Sequence, residues 1–342
     1  QIKFLYFFMA INKKDKELYK RYSPKLAETL KLPNNEKFID DYFSKIIVGS
    51  EIEPLNDDNF EDWLENRLKP NLFFLNKKDY LEMAIEALET TGNIAKTNFG
   101  SAQQRDEMAL WINKITGYLG ELAFKKKLIH DFKIDCKLPH SAGTAEENMP
   151  SDIPLIKEAN EENFREPNLK ISIKQTKWSG VWLDLGTQHE KSDIYVQVKV
   201  NTGANLFMSY LNHLGFFEDI FLKKGVDEKI ITEDKKKLIS STIKRFEDHS
   251  LFAYVAGFTK IKDTTFNYEG EKKTGRKWKI YHIKKAEGLL TQEILDNIKN
   301  ENDVDKINIR PIEKFSTYPR YIVSISKLNY KKEDWESIIN QL

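Results

Sequence analysis

The sequence predicts an α/β protein, more closely α+β, and three observations carry this. Residues 13 to 94 space their apolar residues as helices do. A long amphipathic helix follows at roughly 103 to 128. Beyond it come seven short strand-like runs, interrupted by a helical insertion at about 204 to 248. The 342 residues suffice for one large domain or two ordinary ones. With 40% hydrophobic and 12% aromatic residues, the chain can build a real core despite 31% charge.

The helices come first. "DKELYKRYSPKLAETLKL" brings Leu18, Tyr19 and Tyr22 near helical spacing, with Pro24 expected as a break or a new first turn. "NEKFIDDYFSKIIVG" sets Phe38, Ile39, Tyr42, Phe43 and Ile46 on one face and ends at Gly49. "KKDYLEMAIEALETTG" repeats the pattern and ends at Gly92, and "TGNIAKTNFGSA" is the best candidate boundary. We therefore expect a helical N-terminal region over 1–95 and a second domain over 96–342. In the 103–128 helix, Trp111, Ile115, Leu119, Leu122 and Ala123 form one stripe. Gly117 and Gly120 interrupt it, each costing about 1 kcal/mol against alanine, which predicts close approach of the helix to a sheet or a ligand.

The strand-like runs are "DFKIDCKL", "LKISIKQTKW", "GVWLDLG", "SDIYVQVKV", "SLFAYVAGFTKI", "RKWKIYHI" and "YPRYIVSISKL". In the second of them Leu169, Ile171 and Ile173 alternate with Lys170, Ser172 and Lys174. The isoleucines then face a core, and Ser172 and Lys174 share the other side.

Several function classes are excluded or weakened. A net charge of +1 gives no whole-chain polyanion signal, so any nucleic-acid surface must be a local patch. Cys136 is the only cysteine, which rules out an intrachain disulfide and fits a reducing, cytoplasmic location. No apolar run reaches the ~18 residues of a membrane span, so no membrane association is expected. The opening "QIKFLYFFMAI" is a poor fit to a signal peptide. There is no Walker loop, no H-E-x-x-H and no G-x-S-x-G elbow. The six histidines are scattered, and with one cysteine a zinc finger is excluded.

Three features carry potential chemistry, each with an ordinary explanation beside it. Glu121 lies in the glycine-interrupted helix, on the face of Gly117, where a solvated glutamate is the bland alternative. Asp152 stands in "MPSDIPL", where a turn aspartate is common. Lys174 lies 22 residues later, where an exposed edge-strand lysine is equally ordinary.

Together, a helix glutamate, an aspartate at a strand start and a strand lysine about twenty residues on resemble the PD-(D/E)xK nuclease superfamily, which includes many type II restriction endonucleases. The resemblance covers roughly residues 103 to 330 and maps the motif onto Glu121, onto Asp152 in "PSD" (Pro150 stands one position early) and onto Ser172-Ile173-Lys174. It implies a restriction-endonuclease-like mixed central sheet flanked by helices. It also implies Mg2+-dependent, sequence-specific cleavage of double-stranded DNA, with Glu121 and Asp152 as metal ligands. Lys174 would orient or help deprotonate the attacking water. Ser172 departs from the pattern, which has Asp or Glu there, and a hydroxyl is a poor ligand for a hard cation. Three accounts stay open. Glu121 and Asp152 hold the metal with the Ile173 carbonyl and waters; the motif is instead Gln175-Thr176-Lys177; or catalysis has been lost, leaving a DNA-binding protein. The Ser172 alignment is preferred because Gln175 is in phase with the buried isoleucines.

A palindromic duplex implies a homodimer, and restriction implies a cognate DNA methyltransferase acting on the same site. A repair, recombination or modification-dependent nuclease is the alternative on the same scaffold. Candidate DNA contacts are Gln175 and Lys177 near the site, and Lys272, Lys273, Arg276 and Lys277 in "EGEKKTGRKWKIYHI", where basic residues, Gly and aromatics interleave. Trp178 and Trp182 read as packing residues. The N-terminal helices and the 204–248 insertion are the candidates for base readout.

Overall fold

The computed structural model describes residues 13–32, 36–91, 107–138, 151–201, 208, 211–212, 214–243, 251–261, 263–310, 315 and 318–342. The boundary expected at 95–96 and Pro150 lie outside these residues. The chain is a mixed α and β protein in which helices and strands share cores.

Helices α1 (Lys13–Leu30), α2 (Glu36–Val48) and α3 (Asp57–Asp62) come first, and α3 runs on into a wider helical turn at Trp63–Leu68. Pro24 does not break α1. Its ring removes one N–H whose helical partner would be the carbonyl of Lys20, on the solvent side, while Tyr19, Tyr22, Leu26 and Leu30 are buried on the other. Burial of such side chains, about 1.5–3 kcal/mol each, outweighs one lost hydrogen bond. Strand β1 (Leu72–Phe74) leads into α4 (Lys77–Thr91) and α5 (Glu107–Lys127).

The remaining strands are β2 (Ile134–Lys137), β3 (Leu155–Glu158), β4 (Ile171–Lys177), β5 (Trp182–Gly186), β6 (Ile194–Val200), β7 (Phe252–Thr259), β8 (Asn267–Gly275), β9 (Trp278–Leu290), β10 (Lys306–Ile309) and β11 (Arg320–Ser324). The expected insertion holds helical turns at Phe216–Leu222 and Lys223–Asp227 and a helix at Glu233–Ile243. All seven strand-like runs contain a strand; β1, β3, β8 and β10 were not anticipated, and β1 falls within the 13–94 stretch expected to be helical. β8 was hidden in a basic run, because its two faces are largely solvated and give no apolar alternation.

The central sheet has the order β1-β7-β6-β4, with β4 and β6 parallel and the other pairs antiparallel. One face packs α4, α5 and the C-terminal helix Lys332–Ile339 against Ile171, Ile173, Val196, Val198 and Val255. The other face packs α1, α2 and α3 against Trp178, Tyr195, Phe252 and Tyr254. The N-terminal helices are thus one wall of the core that contains the central sheet, and β1 adds an edge strand to it. A second sheet, β10-β9-β11-β5 with β8 on β9, has its own small core around Ile283, Ala286 and Ile322. The β2–β3 pair completes the strands.

Candidate active site

Strand β4 is the last strand of the central sheet, so its outer edge needs partners. The segment Ser151–Asp152 supplies them. Asp152 N–H donates to the Ile171 carbonyl at 2.7 Å, and Ile171 N–H donates to Ser151 Oγ at 3.1 Å. Ile173 N–H donates to Asp152 Oδ2 at 2.5 Å, and Ser172 Oγ donates to the same oxygen at 3.2 Å. The carboxylate is therefore fixed against the strand that carries Lys174. It neither caps a turn nor floats in solvent. Ser151 was not singled out from sequence, yet its hydroxyl pins this loop at both ends, also donating to the Ile153 carbonyl at 2.9 Å.

The phase of β4 is as its alternation predicts. Ile171 and Ile173 lie in the core beneath α5, while Ser172 and Lys174 are in register with Tyr195 and Gln197 of β6. The second face is not a solvated one, however. Ser172 is 6% exposed and Gln197 2%, on the side where the neighbouring Tyr195 packs into the second core. The alternation looked amphipathic only because its polar members are themselves buried.

Helix α5 delivers Glu121. Gly120 lets it approach: a Cβ there would come within 2.9 Å of Gln175 Cβ and 3.7 Å of Val198 Cβ. Gly117 does not share that role, since a Cβ added there meets nothing within 4 Å. A cleft of about 310 Å³ nearby is lined by Asn113 and Thr116 of α5 and by Gln175 and Lys177 of β4. Gln175 and Lys177 thus line a cleft beside the site. The Gln175 side chain packs against the helix, in phase with the isoleucines.

Electrostatics join the residues. Burial pushes the Glu121 carboxyl well above its ordinary range, the nearby Asp152 charge raises it further, and Lys174 opposes both. Burial also raises Asp152, against the Ile173 N–H, the Lys174 charge and the Ser172 hydroxyl. Glu121 Oε2 is buried without a hydrogen-bond partner among the described residues. Two carboxyl groups share one region, each made uncomfortable by burial, with the Lys174 ammonium beside them. Mg2+ typically takes one or two carboxylates and keeps several waters. The pair fits such an ion, although no group of three or more His, Cys, Asp or Glu side chains occurs among the described residues. Ser172 adds no carboxylate; it is a hydrogen-bond donor to Asp152.

The basic hairpin β8–β9 lies on the second sheet. Lys272 Nζ donates to the Asn302 carbonyl at 2.6 Å, and Lys273 pairs with Glu271 at 3.0 Å. Lys284 pairs with Glu271 at 2.8 Å, and the two lysines hold its carboxyl down to about 2. Arg276 and Lys277 are exposed at the turn. Trp178 and Trp182 are buried, as packing residues should be, and donate to the carbonyls of Tyr42 and Arg310 at 3.3 and 2.9 Å. No helix among the described residues is long and apolar enough to cross a membrane. Comparison of the chain with protein-family models, with curated proteins and with solved structures returned no match in any of the three.

Proposed function

We propose that the protein is a Mg2+-dependent, sequence-specific endonuclease of double-stranded DNA, built on a restriction-endonuclease-like sheet and working as a homodimer. The observation that carries this is the convergence of Glu121, Asp152 and Lys174 at the outer edge of β4, with a buried glutamate oxygen left unpartnered. The order of elements supports it as well: a helix with the glutamate, an antiparallel pair with the aspartate in the connection just before its second strand, then the lysine strand parallel to β6.

Bound Mg2+ would polarise a phosphate oxygen and lower the pKa of a coordinated water. The protein's own residues do the rest. Ile173 N–H and Ser172 Oγ hold Asp152 Oδ2, which orients the carboxylate toward the site. Burial and the Asp152 charge keep a proton on Glu121 at low pH; its loss as pH rises gives the pair the negative charge a hard cation needs. Lys174 places a positive charge where a phosphoryl group gains negative charge, and it orients the water that attacks. Arg276 and Lys277 supply exposed charge for phosphate contacts away from the site.

The test is incubation with several plasmid and phage DNAs, methylated and unmethylated, with Mg2+ or with EDTA. Discrete Mg2+-dependent fragments from unmethylated DNA are expected, with protection by the methyltransferase that would accompany such an enzyme. Absence of Mg2+-dependent cutting in every DNA rejects the activity. A preference for branched or methylated DNA points to the repair or modification-dependent variant. One observation, Ser172 in place of an acid, favours a second reading: a DNA-binding protein whose nuclease site has decayed. Calorimetry separates the two, since a decayed site takes up no Mg2+ even with DNA bound.

A further inference from the structure

Helix α4 has two apolar stripes where one would suffice. Tyr80, Met83, Ala84 and Ala87 are buried against the central core. On a flanking face, about 110° round the helix, Leu81, Ile85 and Leu88 are 50%, 59% and 64% exposed. Their spacing of four and three residues puts them on one face. Isolated exposed leucines are unremarkable, but a contiguous helical stripe marks a contact surface.

The charges around the stripe say what kind of contact. Lys77 and Lys78 are exposed at the N-terminal end of α4, and Glu89 is exposed in its last turn, which has no basic residue. A helix carries partial positive charge at its N-terminus and partial negative charge at its C-terminus. Both sets of exposed charges are therefore opposite to what α4 itself prefers. Asp79, the acid in its first turn, is already engaged by Lys126 at 2.9 Å. A second α4 laid antiparallel resolves the conflict. With Leu81 of each copy opposite Leu88 of the other, the two Ile85 side chains flank the two-fold axis. At ~1.5 Å rise per residue, Lys78 then lies about 3 Å along the axis from the partner helix's glutamate at position 89. The pattern is self-complementary, as a two-fold interface requires.

We propose that α4 is the surface through which two copies of this chain associate, antiparallel, by Leu81, Ile85 and Leu88 with Lys78 and Glu89 at the rims. A stripe of three side chains falls short of the ~800 Å² per partner of a stable complex. The free dimer is weak and concentration-dependent. The inference stands without the nuclease reading, because its readout is mass in the absence of DNA. If both hold, α4 sets the two-fold relation between two cutting sites.

Sedimentation equilibrium of the full chain, without DNA or Mg2+, at up to roughly 100 μM is the test. A monomer–dimer equilibrium is expected, abolished by Ile85→Glu. Lys78→Glu and Glu89→Lys should each weaken it on the order of tenfold, because the two-fold axis doubles every exposed charge pair. Combining them should restore it. A monomer at every concentration overturns the proposal, as does a dimer indifferent to Ile85→Glu or a charge exchange without recovery. So does an Ile85→Glu variant that melts earlier with unchanged mass, since the stripe would then be covered by the chain's own residues.

Discussion

Two clusters of buried charge sit on neighbouring strands, and they are built in opposite ways. On β6, Lys199 is completely buried and donates to Glu51 Oε1 at 2.7 Å. The other oxygen of Glu51 accepts from Trp63 Nε1 at 3.2 Å and from Tyr254 OH at 3.1 Å, with Arg67 at 4.0 Å. Arg67 in turn donates to Tyr254 OH at 3.1 Å and to the Ile325 carbonyl at 2.5 Å. Burial pushes Glu51 up, but the charges of Lys199 and Arg67 more than reverse it and leave the carboxyl below its ordinary value. Beside β4, by contrast, Glu121 and Asp152 are both held above their ordinary values, and Glu121 Oε2 has no partner among the described residues. Burying a charge is tolerable when its hydrogen bonds are complete. The Glu51 cluster is complete and ties the N-terminal helices to the sheet. The Glu121 cluster sets two carboxyls against the single ammonium of Lys174 and leaves Glu121 Oε2 unpartnered, an imbalance that the proposed Mg2+ would relieve.

The largest effect should come from the incomplete cluster. Lys174→Ala is expected to reduce cleavage by roughly 10²–10⁴-fold, the usual range for a lost proton-transfer or charge-stabilising group. DNA binding in Ca2+ should stay near wild type, and the melting curve should shift little. If the lysine were structural like Lys199, stability would fall along with activity. Cleavage rates and filter binding on the same preparation separate these outcomes.

The complete cluster should respond in stability. Glu51→Gln leaves Lys199 and Arg67 buried without their counter-charge, and urea denaturation should show a loss of about 3–5 kcal/mol. Replacing Glu51 and Lys199 together with methionine removes both charges, and most of the loss should be recovered. A double variant as unstable as the single one would mean that the pair acts through something other than charge balance.

Which of this was legible in the sequence follows from the range of the interactions. The β4 strand, α5 and the order Glu121, Asp152, Lys174 are visible because periodicity and spacing are local. Lys199 was hidden: in "SDIYVQVKV" it alternates like any surface lysine, and its partner Glu51 is 148 residues away in the chain. The burial of Ser172 was hidden for a similar reason, since Asp152 and Tyr195, its neighbours in space, lie 20 and 23 residues away in the chain. The roles of Gly117 and Gly120 could not be separated from sequence either, because only Gly120 faces β4.

Glu121→Gln tests whether the incomplete cluster is destabilising at rest. A carboxyl whose folded pKa is raised contributes stability below its unfolded value, and that contribution is lost as pH rises toward the folded pKa. Metal-free wild type should therefore lose stability as pH rises above about 4.3, the ordinary glutamate value. Glu121→Gln should escape this loss and be more stable than wild type at pH 8 by about 1–3 kcal/mol, the cost of a buried polar group without a partner. Mg2+ binding to wild type should strengthen with pH, because it competes with that proton. A variant less stable than wild type at pH 8 would show that Glu121 is already satisfied.

The smallest expected effect bears on the residue that departs from the nuclease pattern. Ser172→Ala removes one 3.2 Å hydrogen bond to Asp152 Oδ2, while Ile173 N–H still holds that oxygen. A loss of about 1 kcal/mol in stability and no more than roughly tenfold in rate is expected, since one neutral donor to a charged acceptor contributes about that much. Ser172→Asp reverses the interaction, setting a third acid against the same carboxylate. Without metal it should destabilise the fold, because like charges in a buried site repel. With Mg2+ it should bind the ion more tightly than wild type and recover stability. If Ser172→Asp gains nothing from Mg2+, then β4 does not aim position 172 at the cation, and Gln175-x-Lys177, facing the cleft below α5, becomes the better placement of the motif.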